Sequence, residues 1–103
     1  MSRPPILSAE ARAAALDKAA EVRRGRAEIR QMLKAGTLTL AELLERVDDD
    51  TVGKMKALAA IESLPGVGKV KARRLMDEIG IASSRRLRGV GEPQRAKLLA
   101  AAG

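Results

Sequence analysis

Leu64-Pro65-Gly66-Val67-Gly68-Lys69-Val70-Lys71-Ala72 sets two glycines around one small apolar residue, between two runs of helical apolar spacing. Leu58, Ile61 and Leu64 lead into the bend at steps of three, and Ala72, Leu75, Met76 and Ile79 leave it on one helix face. The stretch predicts a helix, a tight bend and a second helix. Pro65 ends the first helix, and the glycines supply the left-handed backbone that a sharp reversal needs. Such a bend can turn several backbone N–H groups outward together to hold a phosphate, and the helix after it opens with Lys69 and Lys71. Two readings stand at this point: an ordinary helix–helix connection, and a grip on nucleic-acid backbone that reads no sequence.

Charge favours the second reading. The chain of 103 residues carries a formal charge of +7 and a pI near 10.6. Residues 1–50 hold 9 basic against 9 acidic side chains, whereas residues 51–103 hold 11 against 4, so the excess lies in the half with the bend. A membrane surface also attracts cations, but no apolar run approaches the length of a span and no helix shows a Trp/Phe/Leu face, so no membrane partner is expected. Cysteine and histidine are absent, which removes disulfides, thiol chemistry and the usual zinc ligands and suits a reducing cytoplasm. Met1-Ser2-Arg3-Pro4-Pro5-Ile6-Leu7 does not read as a signal peptide. No aromatic residue is present, so the stacking platforms of single-strand readers are missing, while a duplex backbone needs only cations and amides.

An enzyme is not expected. Only Ser, Lys, Asp and Glu remain as reactive groups, Pro4 is not terminal, and no aromatic could stack on a flipped base. Asp48-Asp49-Asp50 invites a metal site, but one carboxylate capping the next helix while the others stay solvated is the better reading, and neither metal nor cofactor is expected.

Along the chain, Pro4-Pro5 is extended, and Ser8 caps a long helix that runs to about Lys34 before Gly36. Residues 1–20 are mostly alanine toward their end and form a projecting, partly mobile arm, and residues 21–103 form the helical domain. Val22, Ile29 and Leu33 offer that helix a packing side, while Arg12, Arg23, Arg26, Arg30 and Lys34 make a basic stripe expected to face away from it. Thr39-Leu40-Ala41-Glu42 is a capping box for a short helix with Leu40, Leu43, Leu44 and Val47 turned inward. Lys54 and Lys56 flank Met55 before a helix over about 57–64. Gly80 ends the helix after the bend, Ser83 caps a helical turn with Arg85, Arg86, Leu87 and Arg88, and Gly89-Val90-Gly91 is a second Gly-x-Gly turn. Glu92 caps a last helix with Pro93 at its first position. No period-two strand appears, so the fold class is all-α: one small helical domain with a long N-terminal helix.

The run from Gly53-Lys54-Met55-Lys56 through the bend to Arg85-Arg86-Leu87-Arg88-Gly89-Val90-Gly91, together with Ala11-Arg12-Ala13-Ala14-Ala15-Leu16 and Ala19-Ala20-Glu21-Val22-Arg23-Arg24, resembles the actinobacterial integration host factor family. The resemblance covers nearly the whole chain. It implies a helix–two-turns–helix motif over about 57–101 in a monomeric, cytoplasmic, nucleoid-associated protein. Such a protein bends or compacts double-stranded DNA with little sequence preference and assists a phage integrase in site-specific recombination. Carried over by position, Gly66, Val67 and Gly68 would offer amides to a phosphate beside Lys69, Lys71 and Arg74. Arg85, Arg86 and Arg88 would contact the backbone near Gly89 and Gly91, while Arg12, Arg23, Arg26, Arg30, Lys54 and Lys56 would add a second contact. The alternative is a small-subunit ribosomal RNA-binding protein with the same core; the family's long basic tail is not seen after Ala100-Ala101-Ala102-Gly103.

Overall fold

The computed structural model describes residues 8–102; the extended Pro4-Pro5 segment expected from the sequence lies outside them. Among the described residues the chain forms six α-helices and a 3-10 turn. They are α1 (Ala9–Ala35), α2 (Leu40–Leu44), α3 (Asp50–Gly53), α4 (Ala57–Glu62), α5 (Gly68–Ile79) and α6 (Glu92–Ala102), with the 3-10 turn at Leu87–Gly89 between α5 and α6. No strand forms among these residues, and the one β-type contact is an isolated antiparallel bridge between Lys56 and Arg86.

The starts of α1, α2 and α3 fall where side chains satisfy them. The Ser8 hydroxyl accepts from the Ala11 amide, and Gly36 closes α1 in a left-handed conformation. At α2 the Thr39 hydroxyl accepts from the Glu42 amide while the Glu42 carboxylate accepts from the Thr39 amide, completing the capping box. The hydrogen bonds from the Thr39 amide and hydroxyl hold the Glu42 carboxyl below its ordinary range. The Asp49 carboxylate accepts from the Thr51 and Val52 amides, so one member of the acidic triplet is a cap, though of α3, a one-turn helix not expected from the sequence. No group of side chains among the described residues could hold a metal ion. No described helix is long and apolar enough to cross a membrane.

The core is aliphatic throughout. Leu33, Leu40, Leu43, Ile61, Met76, Leu87 and Leu98 are its largest fully buried apolar side chains, drawn from every helix except α3 together with the 3-10 turn. Buried Ser63 is satisfied by donating to the Ala59 carbonyl at 2.8 Å. In α1, Leu33 alone is buried; Ile29 packs partly on the core, and residues 12–18 are exposed. At about 1.5 Å per residue this 27-residue helix is longer than either short dimension of the 56 × 29 × 24 Å molecule.

Three local expectations are corrected. Ser83 does not open a helix: residues 83–84 form a turn and Arg86 is extended, and the Ala57 amide donates to the Arg85 carbonyl at 2.9 Å and the Leu87 amide to the Met55 carbonyl at 2.8 Å. That cross-chain pairing satisfies backbone groups a local helix would otherwise have to pair. Gly89-Val90-Gly91 is not a second left-handed bend, since neither glycine has positive φ; Gly89 lies in the 3-10 turn, and the Arg85 stem would sit 2.9 Å from a Cβ placed there. Finally, Glu92 is the first residue of α6 rather than its cap. The Gly91 carbonyl accepts from the Arg95 amide, and Gln94 accepts from the Gly91 amide while donating to the Gly80 carbonyl, tying α6 to the end of α5.

Candidate nucleic-acid interface

Gly66 and Gly68 both sit in the left-handed region, at φ 76° and 71°, on either side of half-buried Val67. Val67 packs on the core and anchors the bend. A Cβ at either glycine would meet nothing within 4 Å, so their outer faces are open. Val67 occupies the cap position of α5 without a side-chain hydrogen bond, and no acid stands in the first turn. The first-turn amides of α5 therefore have no side-chain acceptor. Instead the turn carries exposed Lys69 and Lys71, with exposed Arg74 one turn on. Cations at the positive end of a helix dipole are unfavourable by themselves and become favourable once an anion binds between them.

A second basic surface runs along α1. Arg26, Arg30, Lys54, Lys56 and Arg86 converge around a floor of Met55 and Ala59. The groove continues past Arg26 and Lys54 to Arg23, Val22 and Lys18. No carboxylate lines it; Glu62 reaches Arg30 only at 4.0 Å. Arg26 Nε is buried without an acceptor among the described residues, an unmet donor where the cations meet. Gathering so many like charges in one groove is costly unless an anion is recruited.

This arrangement corrects the expectation that the stripe faces away from Val22 and Ile29. At 100° per residue the two sets are centred only about a quarter turn apart, so Val22, Arg23 and Arg26 line the same groove. Arg12 is exposed farther out on α1. Lys18 falls outside the arc of the stripe, about a third of a turn from it on the Val22 side, and lines the groove together with Lys54.

A scan against protein families matches residues 33–101 to the family described as "S13-like H2TH domain", a helix–two-turns–helix fold. The Integration host factor of Streptomyces coelicolor is 50% identical over 99 residues, 95% of this chain and 92% of that relative. The Integration host factor of Mycobacterium tuberculosis is 53% identical over 96 residues, 92% of this chain and 91% of that relative. A solved chain described as "Structure of sIHF bound to an 8bp palindromic DNA" superposes with a TM-score of 0.81 at 46% identity, covering 84% of this chain and 99% of that one. The chain belongs to the actinobacterial integration host factor family.

Within this integration host factor fold the three clustered arginines are not equivalent. Arg85 Nη1 donates to the Gly89 carbonyl at 2.8 Å, and Arg86 Nη1 donates to the Lys54 carbonyl, which holds Arg86 in the groove. Arg88 turns the other way, onto Val47, Asp48 and Asp50. The sequence placed the three side by side on one helical turn; the extended bridge at Arg86 separates them.

Asp50 reports on that last contact. The Arg88 hydrogen bond, followed by the charges of Lys54, Arg88 and Lys18, holds its carboxyl below the ordinary 3.8. A folded value below the unfolded one gives stability that is complete above the unfolded value and lost as pH falls through the folded one. Thermal unfolding followed from about pH 6 down to about pH 2 therefore shows a smaller acid-side loss for Asp50→Asn than for the parent. Superimposable pH profiles would contradict this assignment.

Proposed function

We propose that this chain is a non-enzymatic, nucleoid-associated protein that binds double-stranded DNA through its backbone and bends it. The observation that carries the reading is the uncapped start of α5, set behind two left-handed glycines and bearing Lys69 and Lys71 where an isolated helix would favour acids. Gly66 and Gly68 present amides to one phosphate, with Lys69, Lys71 and Arg74 beside them; the Val67 amide, expected to join them, is instead taken by the Leu64 carbonyl at 3.2 Å. The α1 groove, with Arg23, Arg26, Arg30, Lys54, Lys56 and Arg86, takes phosphates on another part of the duplex, and Arg12 extends the contact outward. Two grips set apart by the length of α4 can draw one duplex out of line, so a monomer suffices for bending.

The DNA in the solved relative and the name shared by relatives over most of the chain support DNA over ribosomal RNA. The term S13-like describes the core common to both readings. A role beside a phage integrase in recombination rests on that shared name.

Neutralising roughly 5 to 8 phosphates predicts a log–log salt slope of about −4 to −7, at about 0.9 per phosphate. A gel shift across duplex lengths and salt measures it, and a slope near zero rejects the backbone grip. Bending is read separately by ring closure of fragments of about 150 bp, near the persistence length of DNA. Closure that the protein does not accelerate leaves binding without bending.

A further inference from the structure

Arg88, two residues beyond Arg86, is exposed, yet it directs its donors onto the chain itself. Its Nε donates to the Val47 carbonyl at 3.2 Å, and its Nη2 to the Asp48 carbonyl at 3.5 Å and to Asp50 Oδ1 at 3.0 Å. The guanidinium occupies the space a side chain at Gly53 would take: a Cβ there would come within 2.7 Å of Arg88 Nε and 2.8 Å of Nη2, and would collide with the Val47 carbonyl oxygen. Gly53 is the last residue of α3, and Lys54 follows it directly. From there the backbone pairs with the 3-10 segment on both sides of Arg86, and Arg86 itself donates to the Lys54 carbonyl. Arg88 thus seals the far end of a small clasp whose near end displays Lys54, Lys56 and Arg86.

We propose that Arg88 is a positioning residue: it holds the Lys54–Lys56 segment and Arg86 in the geometry that meets a phosphate backbone, and makes no phosphate contact of its own. To reach a phosphate with the same edge of its fork, Arg88 would have to abandon three acceptors and vacate the space over Gly53. A lysine keeps the charge but has neither the Nε–H nor the planar fork that serves these acceptors. The proposal rests on the DNA reading above, and its test separates the two.

Binding of the full chain to one fluorescent duplex is measured by anisotropy across salt, with thermal unfolding alongside. Lys54→Ala, a phosphate ligand in this scheme, lowers the salt slope by about 0.9. Arg88→Ala and Arg88→Lys each weaken binding roughly three- to tenfold, the scale of indirect coupling, at the parental slope. Parental affinity in Arg88→Lys, or a slope lowered by about 0.9 in Arg88→Ala, overturns the proposal. Should neither variant fold, the Nε–H resonance of Arg88 in the parent decides: unmoved at duplex saturation it supports the strut, and a large shift refutes it. Failure of the parent chain to bind duplex removes the DNA reading, and the inference with it.

Discussion

Replacing Gly66 and Gly68 together by alanine lowers duplex affinity by about 10- to 150-fold, the equivalent of one hydrogen bond to a charged oxygen at roughly 1.5–3 kcal/mol. Neither new methyl group clashes within the free protein, because both glycines face open space. Each methyl would stand where the phosphate has to approach the amides of the bend. The left-handed backbone also resists a Cβ, at roughly 1–2 kcal/mol per position, so stability falls with affinity and the two effects need separating. Gly80 provides the control. It closes α5 at φ 86° with equally open surroundings, away from the bend. Gly80→Ala therefore lowers the unfolding midpoint while leaving affinity for duplex close to the parental value. Anisotropy titrations and circular-dichroism melts on both variants make the comparison. A folded Gly66→Ala, Gly68→Ala double variant with parental affinity would mean that the bend merely joins two helices.

The second large effect is on the fold itself. Leu33→Ala destabilises the domain by about 2–5 kcal/mol, the range for emptying a buried leucine site, against a total of about 5–15 kcal/mol for a domain of this size. Leu33 is 0% exposed and is the single buried residue of α1. It lies at the end of that helix where Leu38, Leu40, Leu64 and Pro65 gather, so it also ties α1 to the segment before the bend. Its loss frees the helix that carries Arg23, Arg26 and Arg30. Urea unfolding gives the stability change, and a loss below about 1 kcal/mol would show that the site collapses around the smaller side chain. Exposed Leu16, 68% accessible on the same helix, serves as the comparison, and Leu16→Ala leaves the urea midpoint nearly unchanged.

Local signals survived folding best. Ser8, the Thr39–Glu42 box, Gly36 and Gly80 act within a few residues of themselves, and each ends its helix where the sequence places it. The bend at Gly66 and Gly68 was legible for the same reason, since only glycine takes positive φ there at little cost. Contacts between residues distant in sequence are not legible in this way. Arg85, Arg86 and Arg88 look like one cationic turn in the sequence, but Met55 and Ala57 pair with their backbone and Val47 with Asp50 captures one of them. Of the basic stripe of α1, Arg23, Arg26 and Arg30 line the groove while Arg12 and Lys34 do not, and the direction of the stripe depends on Lys54, far along the chain.

The amino-acid sequence alone determined the all-α class, both ends of α1, the start of α2, the end of α5, the glycine bend and the excess of cations, since each is set by propensity, capping or charge within a short window. Tertiary structure decided which cations share a groove and which are tied up internally. Loops between α3, α4 and the 3-10 turn meet through backbone hydrogen bonds across some 30 residues, and no local pattern specifies where a long, flexible arginine will find its acceptors once those loops are packed together.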